Sequence, residues 1–374
     1  MNTQNSIDWP MGGGNERRTG VAHSKIKPPL KILWCSKEID YPQGGIAVSG
    51  TTAVCWDNSQ GPLNTVIYGI DIQDGRKLWT YSIAGLTFGT PAIKDEYVYG
   101  GSSSLAFCLD LNTGNEVWKT DNQTLTDNNP LRLAKDIPVA TVGCPLCIKE
   151  FVIFCDKRLV IFDIHTGETV LDLDNAIGEY DNVGPCSDGN YLYCPSRRKI
   201  FRFKLQSNME ENYINTFGKV SAGPVIADSV VLYGSSNSTI EAIDQKSFKP
   251  AWSFKIEDQV LYEDADEHIK SRPAYSRGKI FFGGTDGNVY ALDTKKGTRL
   301  WKHQTGAPVT TSPVISDNIV YISNQRGVLC AFNTDDGRLL WSHDLEETLC
   351  SPAIARNILF AGGDHLYAFV PVDE

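Results

Sequence analysis

Short apolar runs bounded by Gly, Asn, Asp and Pro recur along the chain, and none carries a helical period over a useful length. This is a strand pattern. One stretch shows the unit: GPVIA (Gly223 to Ala227), VVLYGS (Val230 to Ser235), TIEAID (Thr239 to Asp244) and PAWSFK (Pro250 to Lys255). The third run of most units ends in a motif, an Asp followed four residues later by Gly and four more by Trp. It stands as YGIDIQDGRKLW (Tyr68 to Trp79), FCLDLNTGNEVW (Phe107 to Trp118), YALDTKKGTRLW (Tyr290 to Trp301) and CAFNTDDGRLLW (Cys330 to Trp341). Looser copies are IFDIHTGETVL (Ile161 to Leu171) and EAIDQKSFKPAW (Glu241 to Trp252).

The Asp position falls at Asp71, Asp110, Asp163, Lys204, Asp244, Asp293, Asn333 and Val370, eight anchors in all. Four strands per unit at a period of about 40 residues predict an all-β, eight-bladed propeller of four-stranded antiparallel blades. The Asp is expected to accept bonds from turn amides, the Gly to take a conformation side chains resist, and the Trp to pack between blades. These residues read as packing rather than chemistry.

The two ends of the chain complement each other. The last unit supplies CSPAIA, NILFAGG and HLYAFV and no outermost strand, while LKILWCSK (Leu30 to Lys37) carries Trp34 with no motif before it. The N-terminal strand is therefore expected to complete the last blade, which hides sheet edges. The expected division is an N-terminal extension, 1–29, packing on a single propeller domain, 30–374, with 30–38 completing the last blade.

Composition narrows the partners. A net charge of −10 and a pI near 5.2 argue against nucleic acid or an anionic membrane as a partner. No apolar run is long enough to cross a bilayer, so no membrane insertion is expected. The ten cysteines are scattered, mostly inside strands, as small core hydrophobes of a reducing compartment. The first residues lack the apolar core of a signal peptide. A cytoplasmic location is expected if Met1 is the native start, and a periplasmic or secreted one if a signal was trimmed.

The motif resembles that of the PQQ-like (pyrroloquinoline-quinone-like) β-propeller repeat family. Ala291, Asp293, Gly297 and Trp301 match its AxDxxTGxxxW pattern, and DWPMGGGNERRTG (Asp8 to Gly20) looks like the N-terminal signature of BamB-like members. That family includes quinoprotein alcohol dehydrogenases and the outer-membrane assembly factor BamB, so the resemblance implies either oxidation chemistry or scaffolding. The dehydrogenase site, as the resemblance implies it, needs adjacent cysteines, acidic and amide residues for a metal ion, and a catalytic Asp. This chain has no Cys-Cys pair; its nearest approach is Cys144-Pro-Leu-Cys147. No lipidation cysteine lies near its start either.

Function is expected where the repeat breaks. The connections Trp118 to Pro145 and Trp252 to Pro273 are longer than Trp79 to Pro91, Trp301 to Pro313 or Trp341 to Pro352, and all should emerge on one face. The first contains Leu131, Arg132 and Leu133, the second Leu261 and Tyr262 beside acidic residues. Either they form an interface or they are tolerated insertions. Arg272 precedes Pro273 where the equivalent neighbours are small, and either binds an anion or pairs with an Asp. Cys144 and Cys147 are weak metal candidates, because no second pair or His accompanies them. The cluster Arg197, Arg198, Lys199, Arg202 and Lys204 replaces the motif in the fourth unit, as a patch for an acidic partner or as a solvated face.

No catalytic constellation, cofactor site or metal site is recognised. The expectation is a non-enzymatic protein-interaction scaffold or ligand-binding module, working as a monomer or within a hetero-complex. A protein partner is expected, with a small-molecule ligand at the channel mouth as a further candidate. The alternative is a quinoprotein-like oxidoreductase or another enzyme at that mouth.

Overall fold

The computed structural model describes residues 8–36, 39, 44–58, 64–85, 87, 89–102, 105–121, 143–155, 158–173, 184–205, 211–256 and 269–372. Its described elements are strands, gathered into eight sheets. Blade 1 runs outward through Ala47–Ser49, Thr52–Asp57, Asn64–Asp71 and Lys77–Ala84; each later blade repeats that antiparallel order. The innermost strands are Ala92–Lys94, Leu146–Ile148, Cys186–Ser187, Val220–Ala227, Ala274–Ser276, Val314–Ser316 and Ala353–Ala355 for blades 2 to 8. In blade 8 the outermost strand is Leu30–Ser36, paired antiparallel with Leu366–Pro371, so the N-terminal strand closes the ring.

The motif explains how neighbouring blades hold together. Asp71 accepts from the Gln73 amide at 2.8 Å, and its carbonyl accepts from Gly75 N at 2.9 Å. Gly75 has φ 76, and a Cβ there would meet the Trp34 ring at 2.6 Å. Only glycine leaves that space, and the indole of blade 8 fills it. Trp34 Nε1 then donates to the Ile72 carbonyl at 2.9 Å. The same bond, to the residue after the motif Asp or Asn, runs from Trp79 to Leu111, Trp118 to Ile164, Trp252 to Thr294 and Trp301 to Thr334, at 2.8–3.1 Å. The hydrophobic clusters lie mainly along these seams. Each indole removes roughly 150–250 Å² from water there.

Blade 4 breaks the rule and replaces it. Opposite each Trp the third strand carries a small residue: Gly69, Cys108, Ala242, Ala291, Ala331 and Ala368. Blade 4 has Asn212 at the Trp position and Arg202 opposite it. The Arg202 guanidinium packs 4.9 Å from the Tyr191 ring and 4.3 Å from that of Phe248, which stands where the motif has Gly. Its Nη1 donates to the Gln245 carbonyl at 2.9 Å, the acceptor that an indole would otherwise reach. Part of the basic cluster is thus a seam contact and not a solvated face.

Candidate functional site

A propeller leaves the channel-facing edge of every innermost strand unpaired. Residues 8–22 occupy that edge in a circuit around the ring. Asp8 accepts from Arg356 Nε at 2.8 Å in blade 8 and from Gly50 N at 3.2 Å in blade 1. Trp9 exchanges backbone bonds with Val48 of blade 1, at 3.0 and 2.7 Å. The carbonyls of Pro10, Glu16, Arg17, Thr19 and Gly20 then accept from Ile93, Ser187, Ile226, Tyr275 and Ile315, at 2.6–3.0 Å, which takes the segment past blades 2, 4, 5, 6 and 7. Val21–Ala22 ends the circuit as a parallel strand on blade 7. After blade 1, all five donors stand two residues beyond a Pro (Pro91, Pro185, Pro224, Pro273 and Pro313), so the segment crosses the channel at one level.

Arg18 fills the remaining gap. Its side chain is fully buried, with Nε donating to Pro185 O at 3.1 Å, Nη2 to Pro145 O at 2.9 Å and Cys144 O at 3.2 Å, and Nη1 to Gly12 O. These carbonyls belong to blades 3 and 4 and to the segment itself. Burial, and then the nearby Arg272 charge, hold its pKa down to about 10.

This strap turns the channel into a blind well of about 400 Å³. Trp9, Gly12 and Gly13 contribute the floor, and the wall is rich in Gly, Ser and Thr. The open end is where each outermost strand connects to the next innermost strand, since Thr90, Cys144, Arg272, Ser312 and Ser351 all precede a strand-entry Pro. Lys270 and Arg272 are its cationic lining, and no Asp or Glu lines it among the described residues.

Arg272 and Cys144, separate suggestions in the sequence, meet here. Arg272 Nη2 lies 3.9 Å from Cys144 Sγ, and the Thr90 amide donates to the same sulfur at 3.2 Å. Burial opposes ionisation of that thiol, but the Arg272 and Arg18 charges and the Thr90 amide outweigh it, so its pKa lies below the ordinary value. Arg272 Nε is buried without a hydrogen-bond partner among the described residues. Cys147 sits apart, in the core beside Tyr99 and Cys108, and burial pushes its thiol well up. Among the described residues no group of three or more His, Cys, Asp and Glu is arranged to hold a metal ion.

Leu131, Arg132, Leu133, Leu261 and Tyr262 lie outside the described residues, but their connections leave and re-enter the fold at the open end, between Asp121 and Gly143 and between Ile256 and Ile269. Lys270 and Arg18 were not singled out by sequence reasoning. The signal for Arg18 was present in GGGNERRTG, whose glycines allow the tight course over the channel, but nothing there tells which Arg turns inward.

The family described as outer membrane protein assembly factor BamB matches residues 35–120, 57–210 and 236–369. Among curated relatives, BamB of Shewanella oneidensis is 29% identical over 109 residues, 28% of this chain and 28% of that protein. BamB of Yersinia pestis is 27% identical over 174 residues, 43% of each. The dehydrogenase subunit of the quinone alcohol dehydrogenase of Gluconacetobacter polyoxogenes is 26% identical over 198 residues, 47% of this chain and 26% of that protein. The chain thus spans less than half the length of these relatives. Among solved structures, BamB from Moraxella catarrhalis superposes with TM-score 0.70 at 15% identity, covering 93% of this chain and 99% of that one. Quinohemoprotein alcohol dehydrogenase from Comamonas testosteroni gives 0.76 at 13%, covering 98% and 81%. At such identities the likeness is one of fold.

Proposed function

Because this chain belongs to the family of the outer membrane protein assembly factor BamB, we propose that it is a non-enzymatic recognition scaffold that receives a protein partner at the open mouth of the well. One observation carries this reading. The strap satisfies the strand edges and closes the channel on one side, while both long connections meet the fold on the other. A face with a concave centre and elaborated connections suits partner recognition.

The quinone named for the dehydrogenase relatives does not fit this lining. Among the described residues of the lining Trp9 is the one aromatic, and none offers a carboxylate or amide side chain to a cation.

The test is to shorten residues 122–142 or 257–268 to the length of the Trp79 to Pro91 connection and measure partner capture. Capture should fall about tenfold or more, equivalent to roughly 1.4 kcal/mol of binding, with the melting temperature unchanged. Undiminished capture by both variants would reject the reading. The outer membrane assembly role in the name of the BamB relatives favours the cell envelope over the cytosol expected from the cysteines and first residues. Capture is therefore run on soluble and envelope fractions, and recovery from the cytosol alone would reject that placement.

A further inference from the structure

The lining of the well holds a feature that a docking surface does not require. Arg272 interrupts a ring of small residues, and its Nε is a buried donor with no partner among the described residues. A guanidinium donor taken out of water without an acceptor costs free energy, so the position is unfavourable unless something accepts from it. Lys270 adds a second positive charge to the lining, in a chain of net charge −10.

Arg18 adds a further positive charge from below. Its three nitrogens all donate to backbone carbonyls, so it cannot itself grasp a ligand, but its charge stays under the floor. A concave site with cations at its base and polar walls concentrates anions from solution. The Nε and Nη2 edge of Arg272 matches the paired oxygens of a carboxylate or phosphate.

We propose that the base of the well binds a small oxyanion or carboxylate, seated on the Nε–Nη2 edge of Arg272 beside Cys144. The Cys144 sulfur is the internal competitor for this place. Without an anion the Cys144 sulfur is a weak acceptor for Arg272 Nη2 at 3.9 Å. With one bound, Arg272 no longer favours the thiolate, and the sulfur becomes less reactive.

The site needs no protein partner, so its failure and that of the scaffold reading are separable. The intact protein is melted in orthophosphate, in succinate and in sodium chloride at matched ionic strength, alongside Arg272→Gln. Saturable stabilisation of about 3 °C or more by phosphate, succinate or both, absent in chloride and lost in Arg272→Gln, is the expected result. Response to phosphate alone assigns the ligand to phosphate chemistry, and response to succinate alone assigns it to carboxylates.

Should Arg272→Gln not fold, alkylation of Cys144 by iodoacetamide in the unaltered protein gives the answer at fixed pH, with Cys144→Ser identifying the modified site. The stabilising anion should slow that reaction at least about threefold. No stabilisation by either anion, an equal effect of chloride, an equal effect in Arg272→Gln, or unchanged alkylation would overturn the proposal.

Discussion

Arg202 shows how one side chain can stand in for a missing motif. Where five blades send an indole to the neighbouring turn, blade 4 sends a guanidinium between Tyr191 and Phe248 and onto the Gln245 carbonyl. The planar fork permits both the stacking and the bond. Replacing it with Ala should cost about 2–3 kcal/mol, from a cation–π contact of roughly 0.5–2 kcal/mol and a charged hydrogen bond of about 1.5–3 kcal/mol that partly overlap. Arg202→Lys should recover less than half, read from urea denaturation midpoints. A full recovery by Lys would show that charge alone matters. Sequence reading could mark this blade as degenerate but not see the substitution, because the repeat records a missing Trp and says nothing of a reach from the adjacent strand. Arg272 was legible as a departure from the small-residue and Pro pattern, and Cys144 as one half of a Cys-x-x-Cys pair. Their meeting was not, because they come from blades 6 and 3, separated by 128 positions.

At the level of elements, the closing strand was readable and the course of the strap was not. Trp34 stood without a motif before it while the last unit lacked an outermost strand, so apolar pattern alone joined the two ends. Residues 8–20 carry no alternation to read. They hold the ring mostly through backbone carbonyls, whose bonds leave little mark on side-chain choice. Two deletions separate these contributions. Removing residues 1–29 spares the strand Leu30–Ser36 and should lower the melting temperature moderately. Removing residues 1–38 also takes Trp34, whose burial alone is worth on the order of 5 kcal/mol, and should destabilise far more. An unchanged melting temperature in the longer deletion would contradict closure by this strand.

For the whole molecule, the account rests on a difference between two faces. The circuit from Asp8 to Ala22 engages the inner edges and leaves a well open at one end only. The exposed Thr348 and the partly exposed Thr310 line that open end, whereas Glu96 and Asn190 lie on exposed turns just after innermost strands, on the strap side. Site-specific photo-crosslinking in cells compares them directly. With a photoreactive residue placed at each position in turn, the account predicts adducts to a common protein partner from Thr310 and Thr348 and none from Glu96 or Asn190. Adducts of equal yield from both faces, or from Glu96 and Asn190 alone, would contradict it.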